Sequence, residues 1–350
     1  MQHQYFAASN SAQGFKSYYP EIFARADLIY IIKGGPGTGK SSLMKRYAHA
    51  AEAKGYTCEY YYCSSDPGSF DGVLIFGKDR VTGMLDGTPP HACEPKFPGV
   101  REEIINLGAF WDGDLLRKQK NEIIALSERK SAEYKNAYTF LRSVGNLRAV
   151  INGLLSEVLD REKMRLAIGR ITNDYPEGDA RCIPTVIDSV SMSGRIRFDT
   201  LEKNAKKIYI VKKFYGAESF LMDELLRMLR RRDLSLRVSF DPITPEHADG
   251  IYIEDCDTAF VIEQGDDKTL SNNAILSKNN TVYLNSKRFV DTEALRDIRS
   301  ELRYTSRLAQ SSLDGALHSL SCARIYHFLL EDIYGKAMDF KRLSEIKIEI

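Results

Sequence analysis

The chain contains 350 residues, of which 43% are hydrophobic and 28% are charged, and its formal net charge is +1. This composition is ordinary for a globular protein of about two domains, and it offers no basic footprint for a nucleic-acid partner. The amino-terminal residues lack the basic-then-apolar order of a signal peptide, and no apolar run approaches membrane-spanning length. We therefore expect a cytoplasmic protein without a membrane partner, whose six scattered cysteines stay reduced and do not form a zinc site.

A glycine-rich stretch lies between the first clear strand and the first clear helix. Residues 28–32 form a short apolar run that predicts a buried strand, and a helix is predicted from Ser42 until just before Gly55. Residues 34–41 read GGPGTGKS and fit the G-x-x-x-x-G-K-[ST] pattern of a phosphate-binding loop. In this order, successive backbone N–H groups and the helix N-terminus can face one anion.

The loop pattern predicts what its polar side chains do. Lys40 is expected to reach the β- and γ-phosphates of a nucleotide, and the Ser41 hydroxyl is expected to ligate Mg²⁺. Because the chain lacks the N-K-x-D motif that reads guanine, ATP is the expected nucleotide and Mg²⁺ is its metal. The predicted nucleotide contacts are Gly34, Gly35, Pro36, Gly37, Thr38, Gly39, Lys40, Ser41 and Ser42.

Two aspartates that follow predicted strands are candidates for holding the Mg²⁺ hydration shell. Asp86 ends a weakly apolar strand over 81–85, where phosphate-loop folds usually place this carboxylate, and it is the favoured candidate. Asp66 follows a predicted strand over 58–63 and is the alternative. Its Asp-Pro pair also predicts a turn or a helix N-cap.

The residues after Asp86 are expected to supply the group that positions an attacking water. His91 follows two prolines and is the candidate for this role, and a solvated loop histidine is the ordinary alternative. Three carboxylates further along are equally eligible as general base, and the sequence does not choose among Glu94, Glu102 and Glu103.

Two long segments, over about 115–167 and 295–340, carry apolar residues at helical spacing. Packing of these helices on a sheet or on each other is the favoured interpretation, and a lid or partner-binding arm is the alternative. Gly145 and Gly153 lie inside the first segment and predict a break in that helix.

The chain also repeats itself. Residues 29–33 (IYIIK) recur about 180 residues later as 208–212 (IYIVK), and Asp66-Pro67 recurs at a similar offset as Asp241-Pro242. This repetition predicts a tandem duplication with a boundary within about 172–182. The predicted units span residues 1–175 and 176–350.

In the second unit the phosphate loop is degenerate. Residues 213–220 read KFYGAESF, keep one glycine, lack the Gly-Lys pair and place Glu218 where an anion would bind. A carboxylate there would repel a triphosphate, so only the first unit is expected to bind nucleotide. Four arginines on the following helix predict a solvated basic face, with an arginine finger toward the first unit as the alternative: Arg227, Arg230, Arg231 and Arg232.

The stretches 29–45, 84–91, 95–100 and 103–108 resemble an uncharacterised family of bacterial ATPase-like proteins with tandem P-loop halves. The resemblance covers most of the first half and, through the repeat, loosely the second half. It implies ATP binding and hydrolysis without implying a substrate. Members of that family often carry an intact loop in both halves, and this chain departs from the pattern at residues 213–220.

These observations predict an α/β protein made of two P-loop NTPase-like units, each a parallel sheet flanked by helices and followed by a long helical segment. The first unit is expected to bind Mg·ATP and hydrolyse it slowly, with Lys40, Asp86 and His91 as catalytic residues, while the second unit scaffolds or gates the first. One alternative is a nucleotide or small-molecule kinase, whose lid cations would be Arg161, Lys163, Arg165 and Arg170. Another is a nucleotide-gated interaction protein without turnover, whose protein or small-molecule partner the sequence does not identify.

Overall fold

Each half of the chain builds one six-stranded sheet flanked by helices. The computed structural model describes residues 3–89, 93–175, 178, 181–263 and 280–349. The first half contains β1 (His3–Phe6), β2 (Ala8–Ser11), β3 (Gly14–Ser17), α1 (Tyr19–Phe23), β4 (Leu28–Lys33), α2 (Lys40–Ala53), β5 (Thr57–Tyr62), β6 (Phe70–Phe76), β7 (Val81–Asp86), β8 (Glu102–Asn106), α3 (Gly113–Lys118), α4 (Lys120–Val158) and α5 (Arg161–Thr172). The second half contains β9 (Cys182–Thr185), β10 (Asp188–Ser191), β11 (Gly194–Arg197), α6 (Thr200–Asn204), β12 (Lys207–Lys212), α7 (Ala217–Arg230), β13 (Leu236–Phe240), β14 (Ala248–Ile253), β15 (Thr258–Ile262), β16 (Thr281–Asn285), α8 (Ala294–Lys336) and α9 (Phe340–Ser344).

The strand and helix that flank the glycine loop lie where the sequence predicts them. The interior of β4 is buried because its side chains are apolar on both faces, as expected of a central strand between parallel neighbours. Helix α2 begins at Lys40, directly after Gly39 in the left-handed conformation (φ 88°). Just beyond its end, Gly55 is also left-handed (φ 84°), which is the usual way for a helix to stop.

Both sheets are mixed, so the expectation of parallel sheets is wrong. In the first sheet, β6 runs antiparallel to both β5 and β7, while β4 is parallel to β7 and β8. The connections at 63–69 and 77–80 are too short for the crossover that a parallel pair requires, so these strands form hairpins. The second sheet has the same arrangement around β14.

The two sheets have corresponding strand orders. The first sheet is ordered β1-β5-β6-β7-β4-β8, and the second, taken in the same direction, is β9-β13-β14-β15-β12-β16. In each half a small hairpin (β2–β3 or β10–β11) and a short helix precede the central strand. The repetition that the sequence shows over short stretches therefore extends through the order of the elements.

The long helices α4 and α8 pack against each other in antiparallel orientation. Leu126 near the start of α4 clusters with Leu330 near the end of α8, and Leu141 clusters with Ala316. The interpretation favoured from the sequence is packing on a sheet or on each other, and the structure shows that the two helices pack on each other. Both helices continue an apolar stripe along most of their length, which stabilises helices far longer than an isolated domain usually carries.

The expected break in the first long helix is wrong in position. Helix α4 runs without interruption through Gly145 and Gly153, and the chain bends at residues 159–160 instead. A Cβ on Gly145 would lie 2.6 Å from the Cβ of Ala12, so the absence of a side chain lets the β2–β3 hairpin approach the helix. Packing, and not helix breaking, explains this glycine.

The helical segment of each half ends against the other half. Trp111 and Met338 form one isolated antiparallel bridge, and Leu159 and Val290 form the corresponding one. Helix α5, from the first half, packs on α7 of the second, whereas Leu343 of α9 joins the apolar cluster beneath the glycine loop of the first. The two halves thus exchange their terminal helical segments around an approximate twofold axis.

A shared apolar core joins the two sheets. Ile29 and Ile31 of β4 lie in the same buried cluster as Ile208 and Ile210 of β12. The Phe6 N–H donates a 2.7 Å hydrogen bond to the carbonyl of Val186, which extends the contact into the backbone. Of the helices that the structure describes, none is both long enough and apolar enough to cross a bilayer.

Candidate functional site

The glycine loop between β4 and α2 adopts a conformation that only glycine adopts easily at two positions. Gly37 and Gly39 both have positive φ angles, 67° and 88°, in the left-handed region. The buried Thr38 side chain between them donates a 2.8 Å hydrogen bond to the carbonyl of Gly35. This bond fixes the loop in a tight turn immediately before the first turn of α2.

Lys40 folds over the loop and faces Asp86. Its ammonium donates to the carbonyls of Gly35 (2.7 Å) and Gly34 (3.1 Å), and it lies 3.5 Å from the Asp86 Oδ2 atom. The approach follows from the sheet, because β4 and β7 are parallel neighbours in which Ile32 pairs with Asp86. The two strand ends therefore bring together a lysine and an aspartate that are far apart in sequence.

Asp86 is mostly buried and has one carboxylate oxygen already engaged. Its Oδ1 atom accepts hydrogen bonds from the Thr88 amide (2.8 Å) and the Thr88 hydroxyl (2.6 Å). Burial raises the pKa of Asp86, whereas the Lys40 charge and the bonds from Thr88 act in the opposite direction. The Oδ2 atom is left facing Lys40 across the loop.

Ser41 lies in the first turn of α2, on the same side of the loop. Its hydroxyl oxygen accepts a 2.9 Å hydrogen bond from the Phe70 amide at the start of β6. That bond orients the oxygen lone pairs, one of which remains for another partner. Ser41, Lys40 and Asp86 thus come together at one end of the sheet, while Ser42 is exposed on the helix surface.

Asp66, the alternative magnesium residue, forms a turn. Its carboxylate accepts hydrogen bonds from the Ser69 hydroxyl (2.8 Å) and the Gly68 amide (3.4 Å). Asp241, at the corresponding position of the second half, likewise accepts from the Ile243 (2.9 Å) and Thr244 (2.8 Å) amides. The interpretation of both aspartates as turn formers is confirmed.

Of the residues predicted to position an attacking water, those that the structure describes lie at different distances from the glycine loop. His91 lies outside the described residues. Glu102 begins β8 beside Ile29, at the end of β4 opposite to the glycine loop, and its carboxylate accepts from the Phe97 amide (2.7 Å). Glu103 follows it on the same strand and is exposed. Both are too far along the sheet to act at the loop, so predicting them as general bases is wrong.

Glu94 remains nearer to the site but is already paired. Its carboxylate lies 2.7 Å from the ammonium of Lys33, the last residue of β4, and is largely exposed. Lys33 also donates to the carbonyls of Gly87 (2.9 Å) and Cys93 (2.7 Å). This arrangement fixes the segment after β7 against β4.

The end of α8 covers the glycine loop. A Cβ on Gly35 would lie 3.0 Å from the ring of Tyr334, and a Cβ on Gly37 would overlap the backbone carbonyl of Glu331. The Glu331 carboxylate has a lowered pKa, chiefly through a hydrogen bond with His327 and further through the Gly37 amide and the Lys40 charge. The second half therefore places a carboxylate directly at the loop of the first half.

Lys130 of α4 adds a third charge to this group. Burial lowers its pKa most, and Lys40 acts in the same direction, while Glu331 opposes both. Lys130, Glu331 and Tyr334 were not predicted from the sequence, because they are distant in sequence from the loop. The signal that could have drawn attention to α8 is the glycine at position 37, because close backbone contact excludes a side chain there.

In the second half, the loop that corresponds to the glycine loop holds a carboxylate of its own. Gly216 is left-handed (φ 105°) and caps α7, as Gly39 caps α2. The Glu218 carboxylate accepts hydrogen bonds from the Phe214 (2.8 Å) and Gly216 (3.1 Å) amides. Glu218 thus satisfies the amides that would otherwise face an external anion, in addition to repelling one.

The basic residues considered as an arginine finger or as lid cations lie away from the glycine loop. Arg227 donates to Glu224 (2.9 Å), and Arg232 donates to the carbonyl of Tyr175 (2.6 Å), both at the end of α7. Arg165 on α5 also reaches Glu224 (3.2 Å). Because α5 packs on α7, the predicted lid cations belong to the surface of the second half.

The residues at the glycine loop fit a nucleotide-bound magnesium ion better than a metal held by protein alone. Among the described residues, no group of three or more His, Cys, Asp or Glu side chains could hold a metal ion. Mg²⁺ in nucleotide sites usually takes one or two protein ligands and completes its shell with phosphate oxygens and water. The free lone pair of Ser41 and the Oδ2 atom of Asp86 match that requirement.

No protein-family model matches this chain, and no curated protein or solved structure is significantly similar to it.

Proposed function

We propose that the first half is a P-loop unit that binds Mg·ATP and hydrolyses it, and that the second half is a degenerate copy that gates this reaction. The observation that carries the proposal is the left-handed turn at Gly37 and Gly39, with the Lys40 ammonium 3.5 Å from the Asp86 carboxylate. Loops of this conformation direct backbone amides toward a phosphate, and a lysine at this position reaches its outer oxygens. The matching strand orders of the two sheets support the proposed duplication.

In this proposal each side chain has one task. Lys40 exchanges its bonds to the Gly34 and Gly35 carbonyls for bonds to phosphate oxygens. Ser41 and, through water, Asp86 hold the metal, which when bound neutralises the charge that develops on the phosphates. Lys130 of α4, which interacts with the charges of Glu331 and Lys40, would add positive charge beside the phosphates and so stabilise the negative charge that develops on the departing ADP.

The test is equilibrium binding of Mg·ATP together with phosphate release, measured for the wild type, Lys40→Ala and Lys54→Ala. Lys54 is the matched control, because it is an exposed lysine at the other end of the same helix. We expect Lys40→Ala to weaken binding by about 100-fold or more and to abolish turnover, as loss of a charge-assisted phosphate contact predicts. A folded Lys40→Ala variant with unchanged affinity for Mg·ATP would exclude the proposal.

A second candidate is a nucleotide-gated interaction protein in which ATP binding repositions α8 without turnover. The favouring observation is that α8 contacts the loop through Glu331 and Tyr334, so a triphosphate and the Glu331 carboxylate would compete for the same amide and cation. A ligand that binds only when α8 has moved away from the loop shifts the equilibrium toward that conformation, to the extent that it binds this conformation more tightly than the other. Hydrogen exchange over residues 325–345 distinguishes the candidates: faster exchange with Mg·ATP, and no phosphate release, favours gating without hydrolysis.

A further inference from the structure

A cavity of about 470 Å³ lies in the second half, at the position that corresponds to the glycine loop of the first. The degenerate loop forms one wall, through Lys213 and Gly216, and the helices α4 and α8 form the other, through Arg148 and Gln310. Its volume is within the range of pockets that bind small organic molecules. Like ligand sites in other α/β sheets, it lies beyond the carboxyl ends of parallel strands, here β12 and β15.

The loop amides in this cavity are not free to bind a phosphate. Glu218 already accepts hydrogen bonds from the amides of Phe214 and Gly216, and its negative charge opposes a second anion there. A ligand of this cavity must therefore be recognised by side chains and not by the backbone amides of the loop.

Most charged side chains around the cavity are neutralised within the protein. Arg148 pairs with Asp241 (2.8 Å), Arg195 with Asp188 (2.8 Å) and Arg197 with Glu202 (2.7 Å). His247 pairs with Asp223 at 2.6 Å. Burial, reinforced by Asp241, raises the pKa of Asp249 to about 7, so this carboxyl carries only part of a charge at neutral pH.

Apart from Glu218, whose carboxylate is held by the loop amides, two lining side chains of opposite charge are left without an ion-pair partner. Lys213 and Glu263 line the cavity, and within the described ranges no side-chain hydrogen bond or ion pair shorter than 4 Å joins either of them to another residue. Burial and the charge of Arg195 lower the pKa of Lys213, while more distant carboxylates, Glu218 first among them, oppose that shift. They follow β12 and β15, which are adjacent, and the Glu263 amide donates to the carbonyl of Val211 (2.8 Å). The cavity thus presents one ammonium and one carboxylate from neighbouring strand ends.

The wall formed by α4 and α8 carries apolar as well as polar side chains. Val144 and Ile151 of α4 and Leu313 of α8 line it, together with Ala309. These side chains are otherwise buried in the contact between the two long helices and the second sheet. A ligand with an apolar group would extend this packing, whereas a second charged group would lose its water there without a partner.

We propose that this cavity binds a zwitterionic amino acid with an apolar side chain. Its carboxylate would pair with Lys213 and its ammonium with Glu263, while its side chain packs against Val144, Ile151 and Leu313. Such a molecule carries one carboxylate and one ammonium, the two charges that Lys213 and Glu263 complement. The proposal does not depend on nucleotide binding by the first half.

The test is calorimetric titration of the full chain with L-leucine, L-methionine and L-phenylalanine, up to about 10 mM, where even a millimolar Kd produces binding. For the amino acid that binds, we expect Lys213→Gln and Glu263→Gln each to weaken affinity by about 10- to 100-fold, as the loss of one charge-assisted bond predicts. Lys212→Gln is the control, since Lys212 is the adjacent lysine, is exposed as Lys213 is, and does not line the cavity.

Two ligand analogues test the recognition of each charge. 4-Methylpentanoate lacks the ammonium of leucine, and 3-methylbutylamine lacks the carboxylate, so both should bind at least about tenfold more weakly than leucine. Absence of heat with all three amino acids overturns the proposal, as does equal affinity for leucine and either analogue. Saturable binding of Mg·ATP to a Lys40→Ala variant, lost on adding Lys213→Gln, would also overturn it by making the cavity a nucleotide site.

Discussion

Glu59 of β5 and Arg237 of β13 form a buried ion pair between the two sheets, with Oε1 and Nη2 2.7 Å apart. The two residues occupy corresponding positions, because Glu59 pairs with Leu74 in β6 as Arg237 pairs with Tyr252 in β14. Two identical side chains meeting across the approximate twofold axis would place like charges together. Because one half carries a glutamate and the other an arginine at this position, opposite charges meet where the two sheets are in contact.

This ion pair predicts a specific dependence of stability on pH. Burial alone would raise the pKa of Glu59, but Arg237 and Arg25 lower it to about 2, from 4.5 for an unperturbed glutamate. Because the folded-state pKa is the lower one, the stabilisation is complete above pH 4.5 and disappears as the pH falls toward 2.

We therefore expect the wild type to exceed Glu59→Gln by about 3 kcal/mol in the free energy of unfolding at pH 7. The difference should shrink steadily below pH 4.5. Urea denaturation of both proteins across this pH range measures the difference in the free energy of unfolding. The titration of all other carboxylates affects both proteins and therefore cancels in that difference. A difference that is independent of pH would show that the lost packing, and not the charge of Glu59, is responsible.

The contact between α8 and the glycine loop predicts an unusually costly glycine substitution. Gly37→Ala introduces a Cβ at positive φ and also overlaps the carbonyl of Glu331, whereas Gly55→Ala introduces a Cβ at positive φ into open space. We expect a loss of about 1 kcal/mol for Gly55→Ala and about 1–3 kcal/mol more for Gly37→Ala. Chemical denaturation measures both, and equal losses would mean that α8 does not rest on the loop in solution.

Two glycines of α4 allow a similar comparison, in which the two alanine substitutions should change stability in opposite directions. In Gly145→Ala the new methyl would lie 2.6 Å from Ala12, and in Gly153→Ala it would meet nothing within 4 Å. We expect Gly153→Ala to stabilise the protein by about 0.5–1 kcal/mol through helix propensity. Gly145→Ala should instead destabilise it by about 1–3 kcal/mol through overpacking against the β2–β3 hairpin. Thermal unfolding of both variants tests the prediction, and stabilisation by both would contradict the close approach of the hairpin.

Removing the carboxylate that α8 brings to the loop should strengthen nucleotide binding, if the first half binds Mg·ATP as proposed. Glu331 faces the Gly37 amide and Lys40, and a triphosphate would need the same groups. We expect Glu331→Gln to increase affinity for Mg·ATP by about three- to tenfold, the effect of one partly exposed like charge. Asp332→Asn is the control, since Asp332 pairs with Lys336 on the exposed side of the same helix. Unchanged or weaker binding by Glu331→Gln would argue against competition between Glu331 and the phosphates.

Local features of the fold were predictable because they depend on residues close in sequence. The apolar run of β4, the glycine loop and the start of α2 are encoded within residues 28–55, and Asp86 follows from a strand that ends in an acid. The antiparallel direction of β6 was also within reach, since the short connections on either side exclude a crossover. Parallel sheets were predicted because phosphate-loop folds usually have them, although the connections on either side of β6 are short.

Long-range features were not predictable in the same way. The amphipathic pattern of α4 shows that one face is buried, but it does not say whether α8 or a sheet covers that face. Glu331 reaches the glycine loop only because α8 crosses from the second half to the first, and Lys130 reaches it only through the path that α4 takes beside α8. Residues whose role depends on such a crossing carry no local signal, so they can be identified only from the three-dimensional arrangement.

The exchange of helical segments has a consequence for how this protein behaves on dilution. The paired bridges, Trp111 with Met338 and Leu159 with Val290, are contacts of the kind that two subunits of a symmetric dimer make. Here one continuous polypeptide supplies both partners, so the effective concentration of each segment for the other is fixed by the connecting chain. The intact protein should keep this architecture at concentrations where two separate halves would dissociate, and a single cut near residues 176–180 would make its assembly depend on concentration.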